Sequence, residues 1–172
     1  MMRHLTPADY TTMPWANGKG RTIEMLRVEA EGRLKWRLSR ASVVENGDFS
    51  LFPGIERNLT VLTGPGFDLV GDGLHLAARP LVPVEFPGDV ALRAEGVSAP
   101  SDDFNVMTAR ALPRPEVAVV TGRVHLPQGG LLAIYALGPS VVNDQTMAAQ
   151  DLILTEDAAR VEGHTLVVRL FG

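Results

Sequence analysis

Cysteine is missing from all 172 residues of the sequence. Disulfide bonds, thiolate metal sites and a cysteine nucleophile are therefore excluded, and zinc or iron would need histidine and carboxylate ligands. Only four histidines are present, His4, His75, His125 and His164, and no two of them lie within five residues of each other. Because a local pair of metal ligands is lacking, we predict that the protein uses neither a metal nor another cofactor.

The sequence also lacks an excess of basic charge and any long apolar run. Its formal net charge is −4, whereas binding to nucleic acid phosphates calls for a basic face. No apolar run approaches the roughly 20 residues of a membrane-spanning helix. The segment MMRHLTPADY has no apolar stretch of the kind found in signal peptides. We therefore expect a cytoplasmic protein that binds neither nucleic acid nor membranes.

Glycine and proline are abundant instead, with 17 and 12 residues spread along the chain. They divide it into short segments rich in β-branched residues, a pattern typical of all-β sandwiches and barrels. Asp72 and Gly73 are the residues that a tight hairpin turn prefers. Helix signals are limited to one short turn, with Thr6 as its N-cap and Pro7 at its first position. The sequence thus predicts an all-β fold with little helix.

Two pairs of segments resemble each other in the two halves of the chain. TVLTGPGFDL (Thr60–Leu69) resembles AVVTGRVHLP (Ala118–Pro127), and FPGDVALRAEG (Phe86–Gly96) resembles LTEDAARVEG (Leu154–Gly163). Similar segments that recur in the same order indicate a duplicated β-module.

A duplicated antiparallel β-module is typical of two jelly-roll barrels in tandem, the bicupin arrangement, in which a barrel mouth binds a small ligand. We predict a first cupin barrel in residues 1–112, which includes the loop Pro14–Thr22, and a shorter second barrel in residues 113–172. Strands are expected to be exchanged between the two. The apolar strands of the second half suggest either a structural role or a dimerisation surface, so a homodimer is one expected assembly.

Motifs for nucleophilic and phosphate chemistry are absent. No Gly-x-Ser-x-Gly occurs, and NGKGRT has neither the residue order of a P-loop nor that of a dinucleotide-binding turn. Asn17 and Gly18 tolerate the positive φ of a tight turn. We interpret their loop as a rim of the ligand site, anchored by Trp15. A structural turn that closes the barrel is the alternative.

Alternation along two predicted strands groups polar side chains. Thr22, Glu24 and Leu26 are expected to share one face of the first strand, because side chains in a strand alternate between its two faces. By the same rule, Arg37 and Ser39 share one face of the second strand. These residues are the first candidates for a polar binding pocket.

Two orientations of these strands are consistent with the alternation. In one, Glu24, Arg37 and Ser39 point inward and make the barrel interior polar, as a binding pocket requires. In the other, Trp36 and Leu38 form the core and the polar residues point outward. The pattern favours neither orientation.

Further polar candidates come from two later segments. Arg57 follows a Phe-Pro-Gly turn, and Asn105 and Met107 share a face of the strand DDFNVMTAR. Arginine binds a carboxylate with two parallel hydrogen bonds, and asparagine offers both a donor and an acceptor. A surface charge at Arg57 and a turn residue at Asn105 are the alternatives.

Five segments follow one another along the chain: PWANGKGRT, WRLSRASV, FSLFPGIERNLTVLTG, FPGD and DFNVMTAR. Together they resemble the HutD/Ves family, strongly over about the first 110 residues and weakly beyond. The resemblance implies a bicupin without the usual cupin metal ligands, and a small-ligand-binding protein associated with histidine utilisation. The family's motif positions fall on Trp15, Asn17, Gly18, Gly20, Thr22, Phe52, Pro53, Gly54, Arg57 and Asp103 to Met107.

The residues and the resemblance lead to two hypotheses. In the first, the protein is not an enzyme but binds a small acidic metabolite similar to formylglutamate or urocanate, and so senses or moderates histidine utilisation. Arg37 or Arg57 pairs with the carboxylate, and Glu24 and Asn105 bind amide or imine groups. In the second, a metal-independent hydrolase or isomerase acts on a related metabolite, with Glu24 as general base. The candidate ligand-binding residues are Trp15, Asn17, Gly18, Thr22, Glu24, Arg37, Ser39, Arg57, Asn105 and Met107.

Overall fold

A computed structural model of the protein describes residues 1–15 and 20–172. Antiparallel strands make up nearly all of its regular structure. In chain order these strands are β1 (Met2–Leu5), β2 (Thr11–Pro14), β3 (Arg21–Ala30), β4 (Arg33–Val43), β5 (Gly47–Asp48), β6 (Ile55–Thr63), β7 (Phe67–Gly71), β8 (Leu74–Ala78), β9 (Val84–Pro87), β10 (Arg93–Glu95), β11 (Ser101–Ala109), β12 (Glu116–Leu126), β13 (Leu131–Ala136), β14 (Ser140–Val142), β15 (Gln145–Met147), β16 (Leu152–Thr155) and β17 (Ala159–Leu170).

Helical structure in the described residues is limited to one 3₁₀ turn, Pro7–Asp9. The backbone N–H of Thr6 donates to the carboxylate of Asp9 at 2.8 Å, and the N–H of Asp9 donates to the carbonyl of Thr6 at 2.8 Å. The predicted short turn and the all-β character are both confirmed. No helix in residues 1–15 and 20–172 is long and apolar enough to cross a membrane.

Contacts divide the chain into two units. The first unit is Thr11–Ala111. It contains a six-stranded sheet in the order β2-β3-β4-β11-β6-β9 and a four-stranded sheet in the order β5-β10-β7-β8. The second unit comprises Met1–Tyr10 and Leu112–Gly172. Its seven-stranded sheet contains the hydrogen-bonded order β1-β16-β13-β17-β14-β15. Strands β13 and β14 pair with different parts of one edge of the long strand β17, and β12 pairs with its opposite edge.

The apolar core of the first unit lies between strands of both its sheets. The hairpin β7–β8 contributes to it, and Gly73 takes the positive φ of +70° that this tight turn requires. The predicted hairpin is therefore confirmed. The buried residues of this core are Val43, Leu59, Val61, Phe67, Leu69, Ala78, Phe86, Leu92 and Ala94.

The second unit has an aliphatic core of its own. Its central strand β17 pairs with β12 along one edge and with β13 and β14 along the other. The buried residues of this core are Leu132, Ile134, Ala136, Val142, Met147, Ile153, Ala159, Val161 and Val167. Each is aliphatic or a methionine, so this core is apolar, although the unit also buries the polar residues Ser140, Asp151, Thr155 and Thr165.

The first ten residues belong to the second unit. Strand β1 pairs with β16, in the register Met2 to Thr155 through Leu5 to Leu152. The sequence-based division after residue 112 groups these residues with the first barrel, whereas their contacts group them with the second unit. A four-residue strand carries no pattern that identifies a partner at the far end of the chain.

The two pairs of similar segments predicted a duplicated module, and they can be compared by the strands and turns that they form. Phe86–Gly96 and Leu154–Gly163 both run from the end of one strand through a turn into the next. Thr60–Leu69 also crosses a turn, from β6 to β7. Its counterpart Ala118–Pro127 lies almost wholly within the single strand β12. Only the second pair therefore joins two strands through a turn in both halves. The glycines of the shared Thr-Gly, Gly64 and Gly122, nevertheless have nearly the same φ, +87° and +88°.

Candidate ligand-binding site

Three neighbouring strands of the first unit, β4, β11 and β6, bring polar side chains together. Asn105 lies opposite Ser39, and Met107 lies opposite both Arg37 and Arg57. Residues that face each other across antiparallel strands project from the same side of the sheet. These five residues therefore form one continuous patch on that side.

Strand β3 extends this patch but carries a β-bulge at Met25. Glu24 pairs with Ser39, whereas Leu26 pairs with Leu38, because an extra residue enters β3 between them. Leu26 therefore lies on the opposite face from Glu24. The expectation that these two residues share a face is wrong, since simple alternation does not reveal a bulge.

Both faces of β4 are buried. Ser39 is 2% exposed on the polar side, while Leu38 and Trp36 are 0% and 7% exposed on the other. The two orientations considered from the sequence are thus not exclusive. Polar residues point into the first unit, and the apolar residues of the same strand are covered as well.

The polar patch forms one wall of a cavity of about 380 Å³ in the first unit, a size typical of sites for small molecules. It is lined by Trp15, Thr22, Arg37, Ser39, Ala41, Val43, Asp48, Phe49, Ser50, Phe52, Arg57, Asp103, Asn105 and Met107. Seven of the predicted site residues are among them. Glu24 does not line the cavity but accepts a hydrogen bond from Arg37, which does. Asn17 and Gly18 lie outside the described residues, so their predicted role stays a prediction.

Arg57 is the most deeply buried cation of the cavity, with 8% of its surface exposed. Its guanidinium carbon lies 5.1–5.4 Å from the ring centres of Phe49, Phe52 and Phe86. Nη2 donates to Oδ1 of Asn105 at 2.8 Å. The buried Nε has no hydrogen-bond partner in the described part of the chain. Burial lowers the pKa of Arg57 to about 10, more than its attraction to Asp103 raises it.

Asp103 is a buried carboxyl at the same wall, only 1% exposed. Its Oδ1 accepts a hydrogen bond from Nδ2 of Asn105, which is also the acceptor for Arg57. Asn105 is thus held at both ends between a cation and a carboxyl group. Burial raises the pKa of Asp103 to about 7, although the charge of Arg57 and the hydrogen bond from Asn105 both act to lower it.

A second cation, Arg37, lies in the same row of the sheet. Its Nε donates to Oε2 of Glu24 at 2.6 Å, and the two side chains are 13% and 16% exposed. A weaker ion pair joins Glu24 to the more exposed Arg27 at 3.8 Å. Glu24 therefore fixes the position of Arg37, which lines the cavity.

Trp15 and Thr22 form one rim of the cavity. Nε1 of Trp15 donates to Oγ1 of Thr22 at 3.0 Å, and its backbone N–H donates to the carbonyl of Gly20 at 2.8 Å. A Cβ atom at Gly20 would lie 2.8 Å from the indole ring, so the ring requires glycine there. These contacts hold Trp15 beside Gly20 and Thr22, and its role as the anchor of the loop stays a prediction.

Several lining residues were not predicted from the sequence. Asp103 shares its strand face with Asn105 and Met107, so strict alternation along β11 was sufficient to find it. The segment Asp48–Phe52 also lines the cavity. It is mostly irregular, and no periodicity in its sequence points inward.

Metal ligands do not gather at this site. No group of three or more histidine, aspartate or glutamate side chains in residues 1–15 and 20–172 is arranged to hold a metal ion. The lining groups are instead hydrogen-bond donors, one buried carboxyl and phenyl rings. Such a set suits an organic anion.

The fold and cavity define an all-β tandem cupin, as predicted. The sequence model of the HutD family matches residues 7–169, and the chain belongs to this family. Protein Ves of Cronobacter sakazakii (strain ATCC BAA-894) is 33% identical over 153 residues, which cover 83% of this chain and 82% of that protein. The HutD/Ves resemblance predicted from the sequence is therefore confirmed.

Two further relatives agree with this assignment. An uncharacterised 21.2 kDa protein in the hutC 3′ region of Pseudomonas putida is 40% identical over 110 residues, or 61% of this chain; the match spans 57% of that protein. The structure of HutD from Pseudomonas fluorescens SBW25 superposes with a TM-score of 0.91 at 27% identity, over 99% of this chain and 98% of that one.

Proposed function

We propose that the protein binds a small carboxylate metabolite in the cavity of its first unit, and that it does so as a non-enzymatic moderator of histidine utilisation. The observation that carries the proposal is the buried guanidinium of Arg57, whose Nε has no partner among the described residues. A buried donor without an acceptor is costly, and an incoming carboxylate removes that cost.

The surroundings of Arg57 favour an anion over a neutral ligand. Three phenyl rings cover the guanidinium, so its charge acts through a medium of lower dielectric than water. Guanidinium groups hold carboxylates through two parallel hydrogen bonds. Asn105 accepts from only one N–H of Nη2, and Nε–H, which has no partner among the described residues, is the donor that we assign to the ligand.

The opposite part of the same patch suits a second polar group. Ser39 offers a buried hydroxyl, and Arg37 offers its guanidinium group. A ligand with a carboxylate at one end and an amide, imidazole or second carboxylate at the other fits this arrangement. Formylglutamate and urocanate both have this pattern, and the hut-related names of two relatives support that pathway.

The enzymatic alternative has less support. It requires Glu24 to act as a general base on a bound substrate. Glu24 does not line the cavity, and its carboxylate accepts the short hydrogen bond from Arg37. A base in that position has no access to the ligand.

The test is thermal unfolding with formylglutamate and with urocanate. Ligand at a hundredfold excess over its Kd stabilises the folded state by about 2.7 kcal/mol. We expect Arg57→Met to lower affinity by about 10- to 100-fold, the usual loss for a charge-assisted hydrogen bond. Arg33→Met is the matched control, because Arg33 is an exposed arginine of β4 outside the cavity.

Two results would contradict the proposal. One is the absence of any shift with either compound. The other is unchanged affinity in both Arg57→Met and Arg37→Met, since the ligand would then bind elsewhere. Turnover of either compound that is lost in Glu24→Gln would instead support the enzymatic alternative.

A further inference from the structure

We infer, building on the proposed function, that a carboxylate enters the cavity together with one proton, which Asp103 takes up from solvent. Asp103 is then neutral, and the ligand carboxylate has the positive charge of Arg57 as its counter-charge. Asp103 becomes the residue that couples ligand affinity to pH. No bond other than the O–H bond of the protonated carboxyl forms, and none in the ligand breaks.

The geometry joins three buried groups into one unit. Asn105 donates to Asp103 and accepts from Arg57, so the charge of Arg57 acts on Asp103 through one intervening amide. The residues directly opposite Asp103 on the neighbouring strands are Ala41 and Val61. No cation among the described residues forms an ion pair with Asp103, which makes Arg57 its effective counter-charge.

The other charged groups around the cavity have smaller effects: Asp102 also raises the pKa of Asp103, but less than burial does, and Arg37 lowers that of Arg57, also less than burial does. Strand β4 contributes Arg37, which is already paired with Glu24 of β3. Asp48 at the rim has 87% of its side chain exposed and lies 3.6 Å from Arg93. The adjacent Asp102 accepts a hydrogen bond from Ser42 on the other face of the strand.

A ligand carboxylate therefore adds a second negative charge beside one buried cation. Two carboxylates that share a site do not both stay ionised without a large penalty, and the pKa of one of them rises. Asp103 is the better candidate, because burial has already raised its pKa to about 7 in the empty cavity. The ligand carboxylate lies closest to the guanidinium donors and keeps its charge.

The sign of the pH dependence follows from proton linkage. The complex holds one more proton than the free protein above pH 7, so affinity falls as pH rises. The expected loss is about tenfold per pH unit above pH 7, until the pKa of Asp103 in the complex is reached. At pH values below the pKa of Asp103 in the ligand-free protein, Asp103 is protonated both with and without ligand, and affinity is constant.

The experiment is calorimetric titration with N-formylglutamate and with acetate at pH 8, in phosphate and in Tris. These buffers differ in ionisation enthalpy, so the difference in observed heat gives the number of protons taken up. We expect nearly one proton per bound carboxylate in the unaltered protein. Asp103→Asn keeps an oxygen that accepts from Asn105, and we expect it to bind without proton uptake and with affinity independent of pH.

Asp102→Asn is the matched control, because it removes the neighbouring carboxylate on the opposite face and should retain the uptake. Carboxyl-carbon NMR of the unaltered protein provides a readout that needs no variant. The chemical shift of the Asp103 carboxyl carbon should move to the value of a protonated carboxyl group when acetate is added at pH 8. Binding without proton uptake, or equal uptake in Asp103→Asn, overturns this inference alone. Absence of binding by both probes between pH 6 and 8 overturns the proposed function and this inference with it.

Discussion

The two units of the protein use related antiparallel strands for opposite purposes. The first unit places Arg57, Asp103 and Asn105 around a cavity, each of them less than a tenth exposed. The interior of the second unit holds aliphatic side chains such as Ile134 and Val161. The comparison shows that the fold alone does not create the site; the side chains of one sheet face do.

Four charged residues of the second unit form ion pairs at its surface, whereas its Asp151 is buried and pairs with His4 at 2.8 Å. A groove of about 430 Å³ there is lined partly by Arg123, Glu162, Arg160 and Asp144. Arg123 lies 3.2 Å from Glu162 and Arg160 lies 3.4 Å from Asp144, and all four are well exposed. Such pairs are screened by solvent and contribute little. Arg57, by contrast, is buried, and its Nε has no partner among the described residues, so the two cavities differ in the charge that they offer.

The largest expected effect is a loss of stability caused by a substitution in the aliphatic core of the second unit. Ile134→Ala removes a fully buried side chain from the core of the second unit. We expect the free energy of unfolding to fall by about 2–5 kcal/mol, from lost burial and the cavity left behind. Urea denaturation measures this change, and formylglutamate affinity should stay at its original value.

The matched change in the first unit is Leu59→Ala. Leu59 is also fully buried, and it lies opposite Asn105 in the sheet. The substitution Leu59→Ala should lower both the free energy of unfolding and the affinity for formylglutamate. An equal loss of affinity in Ile134→Ala would show that the second unit is part of the site, against the comparison.

The next effect is the pH dependence of stability that Asp103 imposes. Its pKa is about 7 in the folded protein against an ordinary 3.8, so the folded state binds more protons than the unfolded state between these values. Stability from this group is full below about pH 4 and is lost as pH rises through 7. The expected loss is about 2–4 kcal/mol.

Comparison with Asp103→Asn isolates this contribution, since other groups titrate equally in both proteins. As pH rises from 4 to 8, the original protein should lose free energy of unfolding relative to Asp103→Asn, because only the original protein has a titrating group at this position. A difference that is constant across this range would mean that Asp103 has an ordinary pKa in the folded state.

A smaller effect is expected at the partly buried ion pair. Glu24→Gln keeps a hydrogen-bond acceptor for Arg37 but removes its charge. We expect stability to fall by about 1 kcal/mol, and ligand affinity to change less than in Arg57→Met. Parallel urea denaturation and ligand titration measure both. A loss of affinity equal to that of Arg57→Met would place Glu24 in the binding machinery itself.

Alternation predicted much of the polar wall because β4 and β11 are regular there. Arg37 and Ser39 were grouped on one face, as were Asn105 and Met107, and the registers bring the two groups together. Burial of both faces of β4 could not be read from one strand, since it depends on what covers each side. The sequence analysis names Asp103 only as a family motif position and not as a ligand-binding candidate, although it has the same parity as Asn105.

The missed features share a physical cause: local sequence does not record them. The bulge at Met25 changes the face of the residues that follow it, up to a second register shift after Val28, and no distinctive residue type marks it. The segment Asp48–Phe52 reaches the cavity through irregular backbone. The pairing of β1 with β16 joins opposite ends of the chain. Each depends on tertiary packing, which a single sequence without aligned relatives does not reveal.

The smallest expected effect occurs once in each unit and applies the same chemistry to both. Thr60 and Thr165 are 1% and 0% exposed, and neither Oγ1 has a hydrogen-bond partner in the described chain. Replacing an unpartnered buried hydroxyl by a methyl group removes a desolvation cost, so Thr60→Val and Thr165→Val should each stabilise the protein by about 0.5 kcal/mol. Thr155→Val is the control, because its equally buried Oγ1 accepts from the N–H of Asp157 at 3.1 Å, and its loss should destabilise. Urea denaturation distinguishes the signs; destabilisation by Thr60→Val alone would mean that the first unit holds a buried water at that hydroxyl, and that its interior is wetter than that of the second.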